Sequence, residues 1–177
     1  KMAQEIERKY IVTNDSFKAM SIRSYHIIQG YIHTDPRAVV RVRIRDDKAF
    51  LTIKSENKGA VRNEWEYGIP VNDARMMVDK LCQASIIEKT RYIIDYDSHI
   101  WEVDCFDKPC GGLVIAEIEL QSEDENFTLP PFVGREVTGD PAYYNSAIAS
   151  TSHQEVCATV AKVATSDISD NNQVRQP

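Results

Sequence analysis

Charged residues of one sign recur at alternate positions along this chain, with apolar residues between them. Glu5 and Glu7 flank Ile6 and lead on to Lys9, while Arg41, Arg43 and Arg45 alternate with Val42 and Ile44. Thr52 and Lys54 alternate with Leu51 and Ile53, and Glu64 and Glu66 flank Trp65. Lys89 and Arg91, Glu102 and Asp104, and Glu117 and Glu119 repeat the pattern further on. A period of two is that of a β-strand, so each segment has one polar and one apolar face. For a single strand the ordinary explanation is a sheet whose charges face water.

The set as a whole fits that explanation poorly. A solvated face usually mixes Lys, Glu, Thr and Ser, because like charges on neighbouring positions repel. Here several strands are uniformly acidic or uniformly basic. The basic ones lean to Arg, whose planar fork suits bidentate binding of phosphate. A barrel with this face inward would enclose about six cations and about eight carboxylates, at a desolvation cost that only water, a polyanion and divalent metal could lower. Its apolar faces would then point outward and need cover from helices.

Strand candidates are residues 5–12, 25–34, 39–45, 49–55, 62–70, 88–96, 99–106 and 113–121. Turn signals at Thr34-Asp35-Pro36, Asp46-Asp47-Lys48, Asn57-Lys58-Gly59 and Pro109-Cys110-Gly111-Gly112 separate several of them. Eight short strands joined mainly by turns predict antiparallel meanders, as a barrel or a sandwich. Helices are expected at 15–21 and from Asn72 or Asp73 to Gln83, the latter with Val71, Met76, Met77, Lys80 and Leu81 on a mixed apolar face. Asp140-Pro141 should open a helix over 142–149. Ser152-His153-Gln154-Glu155 reads as a capping box for a helix over 152–164, and 165–177 reads as a disordered tail. The expectation is one domain over 2–164, with Lys1 a tag remnant before a natural start at Met2.

A net charge of −6 and a pI near 5.2 argue against a general nucleic-acid binder. No apolar run approaches a membrane-spanning helix, and no leader is visible, so the reading is a cytoplasmic protein with no membrane partner. Cys82, Cys105, Cys110 and Cys157 lack metal-knuckle spacing and are expected to be reduced thiols. His26, His33, His99 and His153 have no ligand spacing. Clustered carboxylates on strands are hard ligands for Mg²⁺ or Mn²⁺, and Mg²⁺ typically uses one or two of them and completes its shell with water and phosphate oxygens. Clustered Arg and Lys would hold the phosphates and stabilise charge that develops on phosphoryl transfer.

"EIERKY" resembles the ExExK signature of the triphosphate tunnel metalloenzymes, the CYTH superfamily. The resemblance continues in order through "QGYI", "RVRIR", Lys54, "EWEYGIP", "EKTRY", "WEVD", "AEIEL" and "EVTGDPAYYNSAIA", covering residues 5–149. It implies a mainly β fold with flanking helices, an eight-stranded antiparallel closed β-barrel, and a polyphosphate substrate bound with two Mg²⁺ or Mn²⁺ ions. Glu5, Glu7, Glu117 and Glu119 would be the metal-side carboxylates, helped by Asp104. Lys9, Arg41, Arg43, Lys54, Lys89 and Arg91 would hold triphosphate, with Lys9 also acting in catalysis. Glu64, Glu66 and Glu102, with Asp104, are further catalytic candidates, among which metal support, water positioning and charge balance stay open. Arg45 would sit at the tunnel rim.

The chain is most similar to short bacterial members that hydrolyse inorganic triphosphate to pyrophosphate and phosphate. Alternatives are a thiamine or nucleoside triphosphatase, a class IV adenylate cyclase, or a non-catalytic polyphosphate-binding module. The cyclases usually carry a His-Phe pair just upstream of ExExK, where this chain has Lys1-Met2-Ala3-Gln4. A homodimer is left open.

Overall fold

The computed structural model describes residues 4–35, 37–82, 86–150 and 157. Nine strands follow one another as β1 (Gln4–Val12), β2 (Arg23–His33), β3 (Ala38–Arg45), β4 (Lys48–Ser55), β5 (Val61–Ile69), β6 (Ile86–Tyr96), β7 (His99–Lys108), β8 (Val114–Glu119) and β9 (Val133–Glu136). The order in the sheet is β5-β4-β3-β2-β6-β7-β8-β1, and a β1–β5 pairing closes it into an eight-stranded antiparallel barrel. Closure uses the first residues of β1, with Gln4, Glu5 and Ile6 opposite Asn63, Arg62 and Val61. The second half of β1 leaves β5 and pairs instead with β9. That short strand lacks an alternating pattern long enough to be read from sequence.

The parity expected from the sequence decides which side faces in. Glu5, Glu7 and Lys9 point into the lumen, while Ile6, Tyr10 and Val12 join an outer core with Trp101, Val103, Ala116 and Ile118. Helix α1 (Ser16–Met20) and the segment after β8 cover this core through Phe17, Leu120, Phe127 and Phe132. A second outer core joins Val42, Ile44 and Ala49 to Ala74 and Val78 of helix α2 (Val71–Leu81). The buried face of α2 is therefore centred on Ala74 and Val78. Val71 and Met77 pack at its margin, but Met76 and Leu81, expected on the apolar face, are exposed. Pro70 stands at the N-cap with no side-chain cap, where Asn72 or Asp73 was expected. Cover is incomplete on β5, where Trp65 and Tyr67 remain 42% and 58% exposed. Among the described residues no helix is long and apolar enough to cross a membrane.

One end of the barrel interior is apolar. Ile11, Tyr31, Ile87, Phe106 and Ile115 continue the inward parity beyond the charged residues and pack with Tyr143, Ile148 and Ala149. The expected helix over 142–149 is split in two. A 3-10 turn at Pro141–Tyr143, capped by the Asp140 carboxylate accepting from the Ala142 N–H, precedes an extended Tyr144 and then α3 (Asn145–Ser150). This break lets Tyr143 enter the plug while Tyr144, Asn145 and Ser146 line the cavity above it.

Two of the four cysteines contradict the expectation of reduced thiols. Cys110, in the β7–β8 turn, and Cys157 form a disulfide with their Cα atoms 4.9 Å apart, whereas Cys82 and Cys105 are free. The pair lies 47 residues apart in sequence, so local spacing carried no sign of it. Residues 152–156 and 158–164 of the expected terminal helix, the tail over 165–177, Gln83 and Pro36 lie outside the described residues; Cys157 itself is helical.

Close approach of α2 explains the glycine of "QGYI". A Cβ at Gly30 would lie 2.6 Å from Cys82 Cβ and 2.7 Å from its Sγ. Gly30→Ala should therefore destabilise the fold by about 1–3 kcal/mol through overpacking, read as a lower urea midpoint. An unchanged midpoint would contradict this contact.

Candidate active site

The lumen holds a cavity of about 290 Å³ whose lining comes from β1, β2, β3, β4, β5, β6, β7, β8 and the start of α3. Of the residues expected from sequence, Glu5, Glu7, Lys9, Arg41, Arg43, Lys54, Glu64, Glu66, Arg91, Glu102, Glu117 and Glu119 all line it. Lys89 and Asp104 do not. They lie beneath the wall as an ion pair, 1% and 0% exposed.

Strand register brings these groups together. Glu7 stands opposite Glu119, and Lys9 opposite Glu117, across β1–β8. Glu117 faces Glu102 across β7–β8, and Arg91 faces Asp104 across β6–β7. Arg91 is the hub. Its Nε and Nη2 fork onto Asp104 at 2.7 and 2.6 Å, Nη2 also donates to Glu117 at 2.8 Å, and Nη1 donates to Glu102. Lys9 pairs with Glu117 and lies 2.6 Å from Glu7. On the opposite wall Glu66 accepts from Arg43 at 2.8 Å, Arg41 at 3.4 Å and the Thr52 hydroxyl at 2.9 Å. Lys54 lies 2.5 Å from Glu64 and 3.2 Å from Glu5. Both oxygens of Asp104 and both of Glu117 are thus taken by cations, but Glu117 lines the cavity and Asp104 does not.

Arg62 was missed. It lines the cavity, and its Nε donates to Glu5 at 2.6 Å. The signal was present, since Arg62 precedes Glu64 and Glu66 by the same period of two. Tyr25 and Arg45 line the cavity as well. With Arg45 and Arg62 added to the six cations expected, lumen charges balance at eight cations and eight carboxylates, the buried Lys89–Asp104 pair included.

Electrostatics follow from this pairing. Burial pushes the Lys9 ammonium towards neutrality, but Glu117 and Glu7 more than offset it and hold its pKa above the ordinary value. Burial lowers Lys89 to about 8 despite Asp104, and lowers Arg43 to about 10, with Arg41 adding to the effect. Burial raises the carboxyl of Glu117, yet Lys9 and Arg91 outweigh it and leave the group well below the usual range.

The donor set suits a hard divalent cation, being carboxylate oxygens throughout. Glu7 and Glu119, side by side across a strand pair, are an arrangement that like charge disfavours and a cation would relieve. Among the described residues no three acid, His or Cys side chains converge on a ready-made metal cluster. A metal held by one or two carboxylates, with phosphate oxygens completing its shell, fits such an arrangement.

The pattern of the CYTH domain matches residues 3–146. This chain belongs to the CYTH family. It is 46% identical over 145 residues to an inorganic triphosphatase of Acetivibrio thermocellus, covering 82% of this chain and 92% of that protein. It is 35% identical over 149 residues to an inorganic triphosphatase of Nitrosomonas europaea, covering 82% and 96%. A crystal structure of an inorganic triphosphatase matches this CYTH chain with a TM-score of 0.61 at 32% identity, over 83% of this chain and 95% of that one. A conserved Pyrococcus furiosus protein of 19% identity matches with a TM-score of 0.54, over 91% and 90%, and shares the fold alone.

The lumen pairs make acid sensitivity a direct test of the geometry. Burial raises the Glu64 carboxyl, but Lys54 overrides it and brings the pKa down to about 2. A carboxylate whose folded pKa is depressed adds stability that is complete above its unfolded value of 4.5 and is lost as pH falls through the folded one. The metal-free protein should therefore lose stability between about pH 5 and pH 2 in urea titrations. Glu64→Gln should flatten part of that loss, and a variant curve parallel to wild type would contradict the pairing.

Proposed function

We propose that this protein hydrolyses inorganic triphosphate to pyrophosphate and phosphate in the barrel lumen, with the help of divalent metal. The observation that carries this reading is a cavity in which fixed guanidinium and ammonium groups face carboxylates across a space of about 290 Å³. Within it the Nε atoms of Arg41 and Arg43 are buried and have no hydrogen-bond partner. Buried donors left unpaired are costly and call for an acceptor, and a phosphate chain supplies many. The identity to inorganic triphosphatases over most of the chain supports the same substrate.

Arg41, Arg43, Lys54 and Arg91 bind the phosphate oxygens in this reading. Lys9, kept protonated by Glu117 and Glu7, offsets charge that builds on the phosphates as the reaction proceeds. Glu66 orients Arg41 and Arg43, Glu64 orients Lys54, and Asp104 orients Arg91 and Lys89, so these three acids act as positioning residues. Glu5, Glu7, Glu117 and Glu119 would hold Mg²⁺ or Mn²⁺, and Glu102 lies beside them on the strand next to Glu117. Bound there, the metal would neutralise phosphate charge and make the terminal phosphorus more electrophilic. A water oxygen attacks that phosphorus, the bond to the bridging oxygen breaks, and pyrophosphate leaves with the electron pair. The proton of the water is released into the carboxylate-lined lumen. No nucleophilic side chain is required.

Phosphate release from triphosphate should need Mg²⁺ or Mn²⁺ and stop in excess chelator; full turnover in chelator would overturn the reading. Glu119→Gln should abolish turnover while thermal unfolding stays unchanged. Arg43→Ala should lower kcat/KM by about 10²-fold, the scale of one lost donor to developing charge. An unaffected kcat/KM would remove Arg43 from the substrate site.

A further inference from the structure

Inward-facing residues of β3 form a ladder running from the closed end of the barrel to its mouth. Val39 packs against the apolar plug, and Arg41, Arg43 and Arg45 follow at alternate positions. Arg45 therefore stands about 7 Å beyond Arg43 along the strand. Its environment differs from that of the other two. Arg41 and Arg43 both pair with Glu66, and the remaining cavity-lining cations each have a carboxylate partner. Among the described residues, Arg45 is the one cavity-lining cation whose side chain makes no hydrogen bond or ion pair. It is held by aromatic rings instead, with its guanidinium carbon 4.9 Å from the Tyr25 ring centroid and 5.4 Å from that of Phe50. Stacking fixes the plane of a guanidinium and leaves its N–H edge for an acceptor.

A preoriented, half-buried cation without a counter-ion, in line with two phosphate-facing arginines, is placed to receive an anion from outside the protein. We infer that Arg45 is an outer phosphate subsite, engaging the fourth phosphate of linear polyphosphates longer than triphosphate and left unused by triphosphate itself. This rests on the triphosphatase reading of the deeper lumen. It makes chain length a property of the mouth and chemistry a property of the interior.

Calorimetric titration of the full chain with inorganic triphosphate and tetraphosphate, in chelator at low salt, tests the subsite without turnover. Wild type should bind tetraphosphate about tenfold more tightly, the scale of a charge-assisted hydrogen bond. Arg45→Gln should lose that preference while its triphosphate affinity stays within about twofold, and Arg45→Lys should keep an intermediate preference. Equal affinities in wild type, or a variant that weakens both ligands alike, overturns the inference. ATP serves as a third ligand, and an affinity loss confined to it reassigns the mouth to base stacking. Phosphate release from triphosphate by wild type in Mg²⁺ is measured in parallel. Its absence, with the tetraphosphate preference intact, sinks the triphosphatase reading and leaves the subsite standing.

Discussion

Charges taken out of water need partners, and that constraint organises this barrel. Removing one member of a buried pair leaves an uncompensated charge costing about 3–5 kcal/mol, whereas an intact pair roughly breaks even against apolar packing. The lumen pairs therefore contribute little net stability, but they dictate which strands must be neighbours. Arg91 ties β6 to β7 and β8 through Asp104, Glu102 and Glu117. Lys9 joins β1 to β8, and Glu66 gathers β3 and β5. The closing seam is short, with three residue pairs between β1 and β5 among the described residues. Glu5 sits in that seam and accepts from Arg62 on β5 and Lys54 on β4. A single carboxylate thus links three strands where backbone pairing is shortest.

Stability has to come from elsewhere, and the apolar residues are placed accordingly. Two outer cores lie under α1, α2 and the segment after β8, while a third fills one end of the interior. The boundary between plug and lumen runs through β2, where Gln29 donates to the Tyr31 hydroxyl at 2.9 Å. Tyr31 thereby presents its ring to the apolar layer and its hydroxyl to the charged one. Ile148 and Ala149 of α3 pack into the plugged end, so in the proposed reading substrate approaches from the opposite mouth. That gives the residues there, Tyr25 and Arg45 among them, a position from which to discriminate.

Strand parity was legible because a period of two survives any register, and it fixed which side chains share the lumen before their partners were known. Depth was not legible. Lys89 and Asp104 share the parity of Arg91 and Glu102, yet one pair lies beneath the wall and the other lines the cavity, since barrel tilt and stagger set the level of each residue. Arg62 opened the expected strand over 62–70 with the right parity, but its place opposite Glu5 depends on the β1–β5 closure, which no local pattern shows. The short β9 carries too few residues to show alternation, and the Cys110–Cys157 bridge depends on an approach across 47 residues. The break at Tyr144 was hidden by a good helix-start signal at Asp140-Pro141, which produced a 3-10 turn before the helix.

The balance of eight lumen cations against eight carboxylates also bears on what the cavity admits. A bare polyphosphate meets the acids of β1 and β8, and a bare divalent ion meets the arginines of β3 and β6, so each alone faces repulsion from half of the wall. Brought together, metal and polyphosphate are nearly neutral and each can turn towards the complementary half. Carboxylates crowded on one side and guanidinium groups on the other thus favour the complex over its components. This selectivity needs no group that titrates near neutrality, and among the described residues no histidine lines the cavity. Hydrolysis then depends on holding opposite charges close to one another in a fixed frame, and the frame is the same set of ion pairs that closes the barrel.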